Sequence, residues 1–105
     1  MIRTDLYYEK FKELKSILDE AKNALDIENA RKQLIEIEAE QQNPEVWGDL
    51  ARSTELARKA QALRRKISLI DESYKTIADA EELVELAALE DDDSFLPEID
   101  KELVA

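Results

Sequence analysis

The apolar residues of this chain recur at alternating steps of four and three. From Tyr7 they run Phe11, Leu14, Leu18, Ala21 and Leu25, the spacing that lines up one face of a helix with 3.6 residues per turn. This predicts a first helix over about residues 5–24. A second seam, Ile27, Ala30, Leu34 and Ile37, keeps the same steps but starts two residues after Leu25. It therefore faces another direction, and the chain must break between the two. Asp26 is the expected N-cap there, its carboxylate accepting from free backbone N–H groups of a second helix over about residues 27–42.

Asn43-Pro44 stops that helix, because proline disfavours the α conformation in the residue before it and brings no N–H. Pro44 can open a short turn through Glu45, Val46 and Trp47. Gly48 is free to end that turn at positive φ, and Asp49 is a natural N-cap for another helix. The next seam, Leu56, Ala60, Leu63, Ile67, Ile70, Tyr74 and Ile77, continues less regularly through Leu83, Val84, Leu86 and Ala87 without a Gly or Pro. It predicts a third helix over about residues 49–89, roughly 60 Å long at 1.5 Å per residue. The acidic run Glu90-Asp91-Asp92-Asp93-Ser94 suits a turn ahead of a new helix N-terminus. A fourth helix over about residues 96–104 can bury Leu96, Ile99 and Leu103. The fold class expected is all-α: a single-domain, elongated antiparallel bundle of three to four helices, one of them long. No capping signal closes the last helix at Ala105, so the chain is expected to be part of a longer one.

Composition narrows the chemistry. The chain has 105 residues, with one Gly, two Pro and neither Cys nor His. Without Cys or His, the usual zinc, haem, iron–sulfur and thiol sites are absent, and a single Gly cannot build a glycine-rich phosphate cradle. No apolar run approaches the length of a membrane span, so no membrane partner, no cofactor and no small-molecule ligand are expected, and the location expected is cytoplasmic. The formal net charge is −11, which disfavours a protein that holds nucleic acid by its whole surface.

The charge is unevenly spread. Residues 52–70 hold six basic side chains and one acidic, whereas residues 71–105 hold two and thirteen. Arg52, Arg58, Lys59, Arg64, Arg65 and Lys66 form a basic stripe whose seven-residue recurrences place most of them along one side of the long helix. The stripe has two readings. It can contact nucleic-acid phosphate or an acidic protein, or it can pair with Glu of a neighbouring helix, Arg52, Lys59 and Lys66 being placed beside the seam. Trp47 likewise can anchor a partner, or act as a structural anchor that plugs the end of the bundle while its indole N–H reaches a backbone carbonyl. The acidic run lacks the alternating Asp pattern with central Gly of a calcium loop, and the remaining carboxylates lie on exposed faces with no pocket to shift their pKa. Catalysis is not expected of this chain.

An ordered set of features carries a resemblance. A Glu-rich helix (Glu36, Glu38, Glu40) is followed by Pro44, an aromatic three residues on at Trp47, an acid at Asp49, widely spaced Leu56 and Leu63, and then Leu83-Val84-Glu85-Leu86-Ala87 before the acidic run. This resembles the N-terminal helical domain of bacterial peptide chain release factors, and Trp47 matches type 2 better than type 1. The resemblance covers most of the chain. It implies a non-catalytic, ribosome-docking domain that approaches the stalk base of the large subunit and has release factor 3 as a further partner, in a monomer. The family hydrolyses peptidyl-tRNA through a Gly-Gly-Gln loop and reads stop codons through Ser-Pro-Phe in type 2, and neither motif occurs here. The alternative is a free-standing helical adaptor or coiled coil that self-associates or binds a partner helix. The register breaks at Leu25/Ile27 and at Pro44 weigh against that reading.

Overall fold

The computed structural model describes residues 3–90 and 96–104, and among these the regular structure is helical throughout. Five helices follow in order: α1 (Thr4–Ala24), α2 (Ile27–Gln41), α3 (Pro44–Trp47), α4 (Leu50–Glu90) and α5 (Leu96–Val104). The expected turn through Glu45, Val46 and Trp47 is a single turn of helix. Apart from Glu90, which ends α4, the acidic run Asp91-Asp92-Asp93-Ser94 lies outside the described residues. The chain packs as two compact units, a central one of Lys22–Ile70 and a terminal one of Met1–Ala21 with Asp71–Ala105. α4 contributes to both.

In the central unit the buried positions are Ile27, Ala30, Val46, Leu56, Ala60, Ile67 and Ile70, which are the seams of α2 and α4 plus one residue of α3. Leu34, Ile37 and Leu63 are half-buried. Glu38 pairs with Arg64 (3.6 Å) and Glu40 with Arg52 (2.6 Å). Position rises along α2 as it falls along α4, so the two helices run antiparallel.

Two local expectations are corrected here. Asp26 stands at the N-cap of α2, but its backbone is left-handed (φ 51°) and its side chain makes no capping bond. The chain instead reverses through backbone bonds, Asp26 N–H to the Asn23 carbonyl (3.1 Å) and Ala30 N–H to the Asp26 carbonyl (3.0 Å). Asp is among the few residues that tolerate this conformation. Gly48 does not use positive φ, lying at φ −86°. Gly48 is right-handed, and a Cβ there would meet nothing within 4 Å. The other two caps form through side chains. Asn43 accepts from Glu45 N–H (3.0 Å), with Pro44 at the first helical position, and Asp49 Oδ1 accepts from Arg52 N–H (3.1 Å).

In the terminal unit the core comprises Phe11 and Leu18 of α1, Ile77, Ala80, Val84 and Ala87 of α4, and Ile99 of α5. The small Ala80 and Ala87 alternate with larger Ile77 and Val84, the mixture that lets facing helices interdigitate. Tyr7 and Tyr8 flank the Phe11 ring, with centroids 6.5 and 6.3 Å away. Lys15 pairs with Glu81 (2.9 Å), and Asp19 accepts from the Tyr74 hydroxyl, so α1 and α4 are antiparallel here as well. The Tyr7 hydroxyl donates to Asp100 (3.2 Å) and ties the start of α1 to α5. Leu103 is half-buried, and the Leu96 side chain lies outside the described residues. Leu86, expected in the seam, is exposed: Leu83, Val84 and Ala87 already fill the inward face, and Leu86 is turned off it by about 100° from its neighbour.

Candidate interaction surface

The basic stripe lies on the first half of α4 and divides into two groups. Arg52 reaches Glu40 on α2 at 2.6 Å, and Arg64 reaches Glu38 on the same helix at 3.6 Å. Arg58 pairs instead along its own helix with Glu55, three residues earlier, at 2.6 Å. The hydrogen bond to Glu40 raises the Arg52 pKa above its ordinary value, and that to Glu55 does the same for Arg58. Glu55 is correspondingly lowered, chiefly by the Arg58 bond. All three guanidinium groups are thus occupied.

Lys59, Arg65 and Lys66 are different. Among the described residues no carboxylate oxygen lies within 4.0 Å of their charged nitrogens. Lys59 and Arg65 are exposed and Lys66 is half-buried. This corrects the expectation that Arg52, Lys59 and Lys66 pair with α2: only Arg52 does, and Arg64, on the other flank of the seam, is the second partner. Cations from both flanks of the seam therefore reach Glu side chains of α2, and which ones do so depends on their height along the helices as well as on the flank. Beside Lys59 an open groove of about 460 Å³ runs between α2 and α4, floored by Ile37, Leu56, Ala62 and Leu63 and edged by Gln33, Glu36, Glu40 and Arg58.

Trp47 reverses another expectation. Its ring does not plug the bundle; it is 67% exposed, and the neighbouring Val46 is the buried residue. The hydrogen-bond expectation does hold, because the indole N–H donates to the Gln41 carbonyl at 2.8 Å, at the C-terminal end of α2. Leu50, three residues further on, is 80% exposed. Sequence pattern carries no signal for it beyond its lying outside the α4 seam. Among the described residues, no group of three or more carboxylates is arranged to hold a metal ion, and no helix is long and apolar enough to cross a membrane.

No protein-family model matches the chain, and no solved structure matches it. Curated relatives do. A protein of Acidithiobacillus ferrooxidans, peptide chain release factor 2, is 34% identical over 79 residues, covering 75% of this chain and 22% of its own length. The chain is related to peptide chain release factor 2. The release factor 2 of Kosmotoga olearia is 30% identical over 92 residues (88% of this chain, 24% of its own), and that of Salinispora tropica 29% over 97 residues (92% and 26%). The chain therefore spans about a quarter of the length of these release factor 2 sequences. With 92% of it matched, α2, α3 and most of α4 fall inside the similarity to release factor 2.

Proposed function

We propose that this chain is the non-catalytic, ribosome-docking helical part of a translation termination factor of the release factor 2 type, working in the cytoplasm. The observation that carries this reading is the similarity to release factor 2 over as much as 92% of the chain, although only about a quarter of each relative is spanned. The absence of a Gly-Gly-Gln loop, and of Cys and His, supports a docking part with no chemistry of its own. The peptidyl-tRNA hydrolysis and stop-codon reading of the family belong to sequence not among these residues.

Within this reading the contact falls to the cations of the stripe that make no ion pair among the described residues. Lys59, Arg65 and Lys66 can each displace counterions from a phosphate or meet an acidic protein at the stalk base. Arg52, Arg58 and Arg64 first have to leave Glu40, Glu55 and Glu38. Release factor 3 is a further partner implied by the family resemblance, and the chain acts as a monomer.

The test is to follow the native protein in lysate of its source by an antibody to this chain, after ribosome sedimentation. A species much larger than 12.1 kDa that travels with ribosomes supports the proposal. A 12.1 kDa species off the ribosome overturns it and favours an independent helical adaptor. Charge reversal at Lys59 and Arg65 should then weaken ribosome association with little effect on folding; unchanged association would remove these residues from the contact.

A further inference from the structure

The turn between α2 and α4 carries a patch that the fold does not use. Val46 fills the core beneath it, while Trp47 and Leu50 are 67% and 80% exposed. Three residues of chain keep their Cα atoms within about 11 Å of each other. Isolated apolar side chains are ordinary at a protein surface; two large ones at one turn, the aromatic among them being the only tryptophan, point to a contact. Nor is the ring loose. Its N–H is held by the Gln41 carbonyl at 2.8 Å, so little ordering remains to be done when a partner arrives.

The rim of the patch decides which partner fits. Glu45 and Asp49 stand two residues either side of Trp47, and Arg52 donates its backbone N–H to Asp49 (3.1 Å) and its guanidinium to Glu40 (2.6 Å), which leaves three carboxylates against a single guanidinium. Nucleic-acid phosphate and anionic lipid are repelled by such a rim. A second copy docking through the same patch about a two-fold axis would bring two acidic rims together. We infer that the Trp47–Leu50 patch docks a basic protein segment, which lays an aliphatic or aromatic side chain beside the indole and sets Lys or Arg against Glu45 and Asp49. Arg is the favoured cation, because it can also stack on the indole face. This inference does not rest on the termination reading and stands or falls separately from it.

Trp47, as the sole tryptophan, reports on the patch directly. The probe is a synthetic amphipathic helix of Lys and Leu, compared at physiological salt with the same peptide carrying Glu in place of Lys. The Lys peptide is expected to shift the Trp47 emission to the blue and the Glu peptide to leave it unchanged. Leu50→Ser should weaken the Lys peptide by about tenfold or more. Leu69→Ser, which removes another leucine of the central unit that is 62% exposed, should not. Both replaced side chains are exposed, and circular dichroism checks that each variant keeps its helices. No shift, an equal shift with the Glu peptide, or equal losses in Leu50→Ser and Leu69→Ser would overturn the assignment.

Discussion

Residues 22–70 carry nine basic and eight acidic side chains, whereas residues 1–21 together with 71–105 carry six basic and eighteen acidic. The central unit is near neutrality at +1 and the terminal unit stands at −12. Their cross-helix ties follow from this difference. Where arginine is available, carboxylates on α2 meet Arg52 and Arg64 of α4. In the terminal unit cations are scarce, and alongside the Lys15–Glu81 pair it is Tyr7 and Tyr74 that donate to Asp100 and Asp19. A phenol satisfies a carboxylate without a cation, so an acidic bundle can link its helices by hydrogen bonds alone. The chromophores separate along the same line: all three tyrosines lie in the terminal unit and the one tryptophan in the central unit. Each unit can be followed by its own signal.

The largest effects come from emptying the two cores. Phe11→Ala should destabilise the terminal unit by about 3–5 kcal/mol and Ile67→Ala the central unit by about 2–5 kcal/mol, read as lowered thermal midpoints. Leu63→Ala, at a half-buried position, should cost less than Ile67→Ala. A midpoint unchanged by Phe11→Ala or Ile67→Ala would remove that residue from its core.

Effects of about 1 kcal/mol are expected at the turn of the central unit. Asn43→Ala loses the cap on Glu45 N–H and should cost about 1 kcal/mol. Gly48→Ala should stabilise by about 0.4–1 kcal/mol, because the native φ suits alanine and nothing blocks its Cβ. A loss of stability in Gly48→Ala would restore the special role that sequence suggests for glycine there.

Salt and pH sharpen the contrast further. Added salt screens the self-repulsion of the −12 unit, so stability read through tyrosine should rise with ionic strength. Stability read through tryptophan should change less, since screening also weakens the exposed Arg–Glu pairs. The smallest effect lies at high pH. The Tyr7 hydroxyl is raised above its ordinary 10.0, first by burial and then by Asp100, and Tyr74 is raised mainly by its hydrogen bond to Asp19. A raised phenol pKa means that the folded state holds the proton more tightly. Its contribution is therefore complete below pH 10 and is lost as pH rises through the folded values. The double variant Tyr7→Phe, Tyr74→Phe should lack this alkaline component in a pH titration of stability, and an unaltered profile would show that the two hydroxyls do not contribute.

What the sequence makes legible is local and periodic. Phe11 to Ala21, Ile27 to Ala30 and Leu56 to Ile77 lie inward because four-and-three spacing defines a helix face whatever packs against it. Asn43 and Asp49 cap because the need they meet lies within two or three residues. Sequence misleads where the outcome depends on a partner element. Val46 and Trp47 are adjacent, so one turn of backbone can point only one of them inward, and it is the smaller side chain that goes in. Arg52 and Arg64 take Glu40 and Glu38 while Lys59 and Lys66 have, among the described residues, no carboxylate oxygen within 4.0 Å, because the facing helix decides at which height a Glu is met. Leu50 has no pattern to announce it, since an exposed apolar residue is visible only against a known surface. Asp26 marks the boundary that its position implies, but by another mechanism, its backbone making the reversal that its side chain is expected to cap.

The uninterrupted α4 bears on how such a chain can change over evolutionary time. Across its 41 residues the helix offers no loop in which a length change could be absorbed. Deleting one residue just after Ala60 would rotate every later side chain by about 100°, carrying Ile67 and Ile70 off the face they share with Leu56 and Ala60 in the central unit. Deleting seven would rotate them by only about 20°. Point substitutions on the outer face of α4 are nearly free, but its length is held close to whole numbers of turns, and descendants of this sequence should differ there by about seven or eleven residues rather than by one or two.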